Sequence, residues 1–155
     1  MNSKILVIGA LGQIGSVLTL KLRSLHGKEN IIASDIKYDK LSKVSDGPFE
    51  LVDAINYNEI FNIVDRHSIG TIYLMAALLS ASSEKNPEYA WNLNMKSLIN
   101  VLDLAKNKIV KKIFWPSSIA VFGLTTPKNN VPQSTVMEPS TVYGISKLSG
   151  ERWCE

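Results

Sequence analysis

The feature that most constrains this chain is an apolar run that ends in a glycine-rich turn, from Lys4 to Gly15. Four apolar residues, Ile5 to Ile8, precede Gly9, and glycine recurs at every third position after it. This pattern predicts a buried parallel strand, a tight turn and the start of a helix. A side chain at Gly9 or Gly12 is expected to block the approach of a ligand to the backbone. The N–H groups and the positive end of the helix favour a pyrophosphate there, so the turn predicts nucleotide binding.

The spacing of the glycines is one residue wider than that of the common dinucleotide fingerprint, and three glycines alone also suit a purely structural turn. A second apolar strand, Ile31 to Ser34, supports the nucleotide interpretation because it ends at Asp35, 20 residues after Gly15. An acid at this place accepts hydrogen bonds from the adenosine ribose hydroxyls.

Strand and helix patterns alternate along the whole chain, which predicts an α/β fold with a doubly wound parallel sheet. Further strands are expected at 49–52, 71–75 and 112–115, with an apolar helix between each consecutive pair of these three, whereas residues 37–48 are expected to form a loop. At 155 residues the chain is expected to form one dinucleotide-binding domain, residues 1–155. Ligands of such sheets bind beyond the carboxyl ends of the strands. The residues expected at or just past those ends are Gly9, Asp35, Asp53, Ala76 and Ser118.

Two helices and one loop complete the predicted architecture. The first helix is expected to show one apolar face, formed by Ile14, Val17, Leu18, Leu20, Leu22 and Leu25. A long helix from 86 to 107 opens at Asn86-Pro87 and is apolar on more than one face, which suits either a deep core helix or a subunit interface. Residues 123–140 contain one glycine and three prolines without a clear period, which indicates a functional loop.

The candidate catalytic residues are Tyr143 and Lys147, which lie four positions apart and therefore on one helix face. An ammonium beside a phenol favours the phenolate, which can take a proton from a substrate hydroxyl. Ser118, at the end of the fifth strand, could hold the same hydroxyl. Tyr–Lys pairs at this spacing are also common on solvated helices, so the pair gains its weight from the nucleotide turn upstream.

Composition excludes several classes of function. The net charge is +3 with scattered basic residues, which argues against nucleic acid binding. One cysteine, Cys154, rules out an internal disulfide, and no metal-ligand spacing occurs. The longest uncharged stretch, 69–83, is too short to cross a membrane. The first strand begins at Lys4, so no targeting peptide is expected and a cytoplasmic location is predicted.

Taken together, the glycine turn, Asp35, Asp53, Asn94, Ser117-Ser118 and Tyr143-x-x-x-Lys147 resemble the extended short-chain dehydrogenase/reductase family. Three longer stretches, 72–81, 113–123 and 137–147, resemble the epimerase-like L-threonine 3-dehydrogenases, a branch of that family. The similarity covers all 155 residues. The resemblance implies a Rossmann fold, NAD as cofactor and oxidation of the L-threonine side-chain hydroxyl to 2-amino-3-ketobutyrate.

The resemblance also implies a role for each matching residue. Tyr143 is the base, and Lys147 assists it and binds the nicotinamide ribose. Ser118 bonds the reacting hydroxyl with Ser117 beside it, and Ser80 helps place the substrate. The expected pyrophosphate contacts are Gly9, Leu11, Gly12, Gln13 and Ile14. Asp35 binds the adenosine ribose, and Val52 with Asp53 binds the adenine side. The other expected cofactor contacts are Gly15, Ile36, Leu74, Ala76, Ala77 and Asn94.

Asp35 favours NAD over NADP because a carboxylate repels a 2′-phosphate, although Lys37 softens that preference. Family members pair through the long helix, which implies a homodimer through residues 86–107. Their chains run far beyond residue 155 into a small C-terminal substrate domain, so the domain is expected to be incomplete here. Two alternatives stay open: a sugar-nucleotide epimerase or dehydratase with the same site, and a non-catalytic NAD-binding protein.

Overall fold

The computed structural model describes residues 3–155 and divides the chain into two compact units. The first unit runs from the N-terminal strand to Ala77 and includes Lys96–Trp115. The second unit comprises Leu78–Met95 and Pro116–Glu155. The prediction of one dinucleotide-binding domain over residues 1–155 stays a prediction.

The first unit is built on a parallel sheet of five strands in the order β3-β2-β1-β4-β5. The strands are β1 (Lys4–Ile8), β2 (Ile31–Asp35), β3 (Phe49–Leu51), β4 (Ile69–Leu74) and β5 (Lys112–Phe114). The helices of this unit are α1 (Gln13–His26), α2 (Tyr57–His67) and α5 (Ser97–Lys106). The predicted α/β fold with a doubly wound parallel sheet is confirmed.

Apolar side chains cover both faces of this sheet, as a parallel sheet with helices on both sides requires. Along β1, Leu6 and Ile8 join a cluster with residues of α2 and α5, whereas Val7 joins a second cluster with Leu22 of α1. The three β1 residues are at most 1% exposed. The alternation places β1 at the centre of both cores, which fixes the position of the turn that follows it.

The predicted apolar face of α1 is only partly buried. Leu22 is buried and Leu18 is half-buried, but Ile14 is 66% exposed and Val17 is 69% exposed. Leu20 and Leu25 are exposed as well. The apolar spacing therefore marked more of the helix surface than the sheet covers.

A buried arginine fixes the segment that joins β2 to β3. Arg23 of α1 is 8% exposed and donates from its two terminal nitrogens to the carbonyls of Val44 and Pro48, at 2.6 and 2.7 Å. Burial lowers the pKa of Arg23, against the opposing charges of Glu29 and Asp46. A short 3-10 helix, Lys43–Asp46, forms in this segment, for which the sequence predicted a loop.

The second unit contains α3 (Ser80–Lys85), α4 (Pro87–Trp91), a 3-10 helix (Ile119–Val121) and α6 (Val142–Cys154). The predicted helix 86–107 is helical from Pro87 to Lys106, but a π-helical segment, Asn92–Lys96, interrupts it between α4 and α5. Helix α3 was not predicted. Residues 123–140 contain no helix or strand, as predicted.

Candidate functional site

The glycines of the first turn meet different demands. Gly9 follows β1 with φ of +86°, and a Cβ there would lie 2.5 Å from the backbone nitrogen of Ala76. A Cβ at Gly15 would overlap the carbonyl oxygen of Gly9. Gly9 is therefore required by its positive φ and by the close approach of the segment that follows β4, and its predicted contact with a ligand stays a prediction.

Gly12 is the least crowded of the three glycines in this turn. A Cβ there would meet the carbonyl oxygen of Gly9 at 3.3 Å, and the residue is exposed. Gly12 is also the N-cap of α1, where no side chain accepts a hydrogen bond from the helix end. Within the described residues, the first turn of α1 has no acid. A positively polarised helix end without a side-chain cap, behind an exposed glycine, fits a phosphate group.

Asp35 ties the glycine turn to the end of β2. One carboxylate oxygen accepts a hydrogen bond from the Leu11 backbone N–H at 3.0 Å, and the other accepts one from the Ile36 N–H at 2.9 Å. The side chain of Ile36 is 67% exposed. A carboxylate has about four acceptor positions, so Asp35 keeps capacity for ribose hydroxyls.

The adenine-side candidates lie beside Asp35 at the end of the neighbouring strand. The N–H of Val52 donates to the Asp35 carbonyl at 3.0 Å, and the Val52 side chain is buried. The N–H of Asp53 donates to the carboxylate of Glu59 at 2.8 Å. The same carboxylate accepts a hydrogen bond from the side-chain amide of Asn56, which is the N-cap of α2. The first unit thus brings together the glycine turn, Asp35, Val52 and Asp53, as the sequence predicted.

Leu74, Ala76 and Ala77 follow the same sheet edge at the end of β4. The Leu74 side chain is 1% exposed, so only its backbone could face a ligand, whereas Ala76 and Ala77 are half-buried. The N–H of Ala76 donates to the carbonyl of Ile8 at 3.0 Å. This bond joins the segment after β4 to the last residue of β1, directly before the glycine turn.

In the second unit, α6 carries the predicted Tyr143–Lys147 pair. Thr141 caps the helix by accepting a hydrogen bond from the Gly144 N–H at 3.0 Å, and the Glu84 carboxylate accepts one from the Val142 N–H at 2.7 Å. The Lys147 Nζ lies 5.6 Å from the centre of the Tyr143 ring. The two side chains share one helix face, as their spacing predicted.

Lys147 is a buried cation at the middle of α6. It is 2% exposed, and its Nζ donates to the carbonyl of Pro116 at 2.7 Å. Burial lowers the pKa of Lys147 to about 8, because removal from water disfavours the charged form. The ammonium next to Tyr143 is therefore still protonated at neutral pH and loses its proton in mildly alkaline solution.

The neighbouring serines Ser117 and Ser118 make different bonds. The Ser117 hydroxyl donates to the carboxylate of Glu151 on α6. The Ser118 oxygen accepts a hydrogen bond from the Ala120 N–H at 3.2 Å and so caps the short 3-10 helix. The sequence predicted Ser118 as the contact of the reacting hydroxyl with Ser117 beside it, and it did not predict the bond from Ser117 to Glu151.

Asn94 and Ser80 lie in the parts of the second unit that the sequence described least well. Asn94 sits in the π-helical segment and pairs with both backbone groups of Leu78, at 2.8 and 3.1 Å. Its amide also lies 3.5 Å from the hydroxyl of Ser146 on α6. Ser80 is the exposed first residue of α3. Asn94 thus holds the segment that leads into Ser80, and its predicted NAD contact stays a prediction.

Sequence reasoning missed three acids that hold these segments: Glu59, Glu84 and Glu151. Glu59 lies three residues after Asn56, which is the spacing of a capping box. Glu151 lies four residues after Lys147, which predicts a shared helix face. Glu84 left no local signal, since its partner is 58 residues away.

Among residues 3–155, no group of three or more His, Cys, Asp and Glu residues is placed to hold a metal ion. No helix in this part of the chain is long and apolar enough to span a bilayer.

Comparisons with known proteins agree with this geometry. Residues 5–155 match the model of the NAD dependent epimerase/dehydratase family. An uncharacterized epimerase/dehydratase from Staphylococcus epidermidis is 48% identical over 153 residues, which are 98% of this chain and 48% of that protein.

Two solved structures are similar over nearly the whole chain. A partial consensus L-threonine 3-dehydrogenase is 56% identical with a TM-score of 0.93, over 97% of this chain and 48% of its own. The GalE-like L-threonine dehydrogenase from Cupriavidus necator, in its holo form, is 52% identical with a TM-score of 0.92, over 97% of this chain and 49% of its own. The chain spans about half the length of the relatives it matches. It belongs to the NAD-dependent epimerase/dehydratase family.

Proposed function

We propose that this chain carries the NAD-binding and acid–base parts of an L-threonine 3-dehydrogenase, which oxidises the side-chain hydroxyl of L-threonine to 2-amino-3-ketobutyrate. The observation that carries the proposal is the position of Lys147, buried on α6 with its Nζ 5.6 Å from the Tyr143 ring. The similarity to two L-threonine dehydrogenase structures at 52% identity or more supports the choice of substrate.

The first unit would hold NAD. Gly12 and the uncapped start of α1, with Leu11, Gln13 and Ile14, would accept the pyrophosphate. Asp35 would bind the adenosine ribose with the acceptor capacity that Leu11 and Ile36 leave unused. The same carboxylate would disfavour the 2′-phosphate of NADP. When bound, NAD supplies the hydride acceptor for the carbon that bears the reacting hydroxyl.

The second unit would manage the proton. The Tyr143 phenolate would take the proton of the threonine hydroxyl, while Ser118 donates a hydrogen bond to the same oxygen. The bond from Lys147 to the Pro116 carbonyl holds the Lys147 ammonium in place, with its Nζ 5.6 Å from the centre of the Tyr143 ring. Ser80, exposed at the start of α3, would help to position the amino acid.

The test is the absorbance of NADH on mixing the protein with NAD and L-threonine. Tyr143→Phe removes the base and should lower turnover about 1,000-fold. Tyr57→Phe is the matched control, because Tyr57 stacks on Phe61 in the first unit and should leave turnover unchanged.

Three results would overturn the proposal. Equal turnover in Tyr143→Phe and the parent would remove Tyr143 from the mechanism. Turnover of a UDP-sugar but not of threonine would identify a sugar-nucleotide enzyme, and NAD binding without any turnover would identify a non-catalytic NAD-binding protein.

We also propose a homodimer through residues 86–107. In α4, Tyr89 is 48% exposed and Trp91 is 43% exposed, and aromatic residues are enriched at subunit interfaces. Trp91→Glu should shift the sedimentation coefficient from that of a dimer to that of a monomer. A parent protein that sediments as a monomer at high concentration would reject the interface.

A further inference from the structure

In the second unit, the adjacent residues Ser117 and Ser118 differ in the hydrogen bonds that their hydroxyl groups make. The Ser117 hydroxyl donates its proton to the carboxylate of Glu151. The Ser118 oxygen accepts from the Ala120 N–H at 3.2 Å, a bond that does not use the Ser118 proton. Only Ser118 therefore retains a proton that it can donate to a substrate oxygen without breaking this set of bonds.

Two side chains of α6 hold the residues just before Ser118. Lys147 donates to the carbonyl of Pro116 at 2.7 Å, and Glu151, one helical turn later, accepts from Ser117. Residues four apart lie on one face of a helix, so Lys147 and Glu151, on consecutive turns of α6, bond the consecutive residues Pro116 and Ser117. The position of Ser118 is thereby set relative to the helix that also carries Tyr143.

Glu151 is suited to this role by its charge. A carboxylate accepts a stronger hydrogen bond from a hydroxyl than a neutral group does. The other ionised acid near the end of α6, Glu155, is instead paired with Arg152 at 2.7 Å, and both of those side chains are well exposed. Glu151 is half-buried, and its carboxylate bonds Ser117 in the segment that follows β5.

We propose that Glu151 is a positioning residue that fixes Ser117 and thereby the adjoining Ser118, which the proposed function assigns to the reacting hydroxyl. The role of Ser118 toward the substrate rests on the proposed function. The role of Glu151 in positioning Ser117 does not, because it is a property of the folded chain without any ligand.

The first measurement is amide hydrogen exchange in the full chain without substrate. The reporters are the N–H groups of Val121 and Phe122, which donate to the carbonyls of Ser118 and Ile119. Glu151→Ala and Ser117→Ala should each speed their exchange about tenfold, because the loss of a charge-assisted bond frees the segment. The double variant should be no faster than either single variant, since both break the same bond.

Two control variants sharpen this measurement. Glu151→Gln keeps an acceptor for the Ser117 hydroxyl and should restore exchange to within about twofold of the parent. Glu155→Gln removes one negative charge from the same helix and should leave exchange unchanged. Parent-like exchange in Glu151→Ala, or additive effects in the double variant, would overturn the positioning role.

The second measurement is turnover of threonine by the same variants. Ser118→Ala should lower kcat about 100-fold, whereas Ser117→Ala and Glu151→Ala should lower it about tenfold with Glu151→Gln rescuing most of the loss. A larger loss in Ser117→Ala than in Ser118→Ala would reverse the assignment of the serines. If the parent shows no turnover, the proposed function fails, while hydrogen exchange still decides the role of Glu151.

Discussion

The two units of this chain differ in the kind of interaction that stabilises each of them internally. In the first unit, two apolar clusters cover the two faces of a parallel sheet. In the second unit, the buried side chains include polar groups at four positions, Ser83, Asn94, Ser146 and Lys147. Its segments are joined by bonds such as those from Asn94 to Leu78. The comparison indicates that the first unit derives its stability from apolar burial, and the second derives its geometry from directional bonds.

The largest expected effect is the loss of unfolding free energy when a buried apolar side chain is truncated, and it should differ between the two units. Ile72→Ala in β4 deletes atoms from a fully buried residue of the larger cluster and should lower the free energy of unfolding by about 4 kcal/mol. Met95→Ala in the second unit deletes the same number of heavy atoms outside both clusters and should cost about 2 kcal/mol. Urea unfolding of both variants measures the difference, and equal losses would contradict the comparison.

The next effect concerns the buried cation of the second unit. The pKa of Lys147 is about 8 in the folded chain and about 10.5 when unfolded, so between these values the unfolded chain binds the extra proton. Raising the pH through this window therefore stabilises the fold, by about 3 kcal/mol in total, and the full penalty is present below pH 8.

Lys147→Met abolishes this contribution, so the difference in unfolding free energy between parent and variant should change by that amount from pH 8 to pH 10.5. Urea unfolding at several pH values measures it. Parallel pH profiles for the two proteins would show that burial does not perturb Lys147.

The smallest effect tests the turn of the first unit. Gly12→Ala adds a Cβ 3.3 Å from the Gly9 carbonyl oxygen, a contact that a small backbone shift relieves, so the free energy of unfolding should fall by no more than about 1 kcal/mol. The same Cβ faces the proposed pyrophosphate, and NAD affinity should fall about tenfold, or about 1.4 kcal/mol.

Gly15→Ala provides the contrast for this prediction, because its Cβ overlaps the Gly9 carbonyl. It should destabilise the fold whether or not NAD is present. Calorimetric titration with NAD, beside urea unfolding, separates the two variants. Undiminished NAD affinity in Gly12→Ala would place the pyrophosphate elsewhere.

Local patterns explain why most of the first unit could be predicted. An apolar run followed by Gly9, and another ended by Asp35, define strands and turns within a few residues of sequence. The shared helix face of Tyr143 and Lys147 could also be predicted from the sequence, since residues four apart lie on one face of a helix. The exposure of Ile14 and Val17 could not be read from the sequence, because it depends on how far the sheet extends beneath α1.

The second unit was less predictable because its bonds join distant residues. Helix α3 is short and polar, and the π-helical segment has no periodicity that marks it in advance. The bond between Ser117 and Glu151 spans 34 residues, and that between Val142 and Glu84 spans 58. Only three-dimensional proximity reveals which of two serines is already engaged.

The arginine that anchors the β2–β3 connection has a consequence for protein engineering. Arg23 pins Val44 and Pro48, and Asp35 is pinned at the other end by β2 and the glycine turn. Residues 36–43 between these anchors are mostly exposed. Tyr38 packs against Phe49 of β3 and Ser42 caps the short 3-10 helix, so the other six positions are those whose exchange should disturb the sheet least. They lie next to the carboxylate expected to choose between NAD and NADP, and a library confined to them and Asp35 is therefore a compact route to altered coenzyme preference.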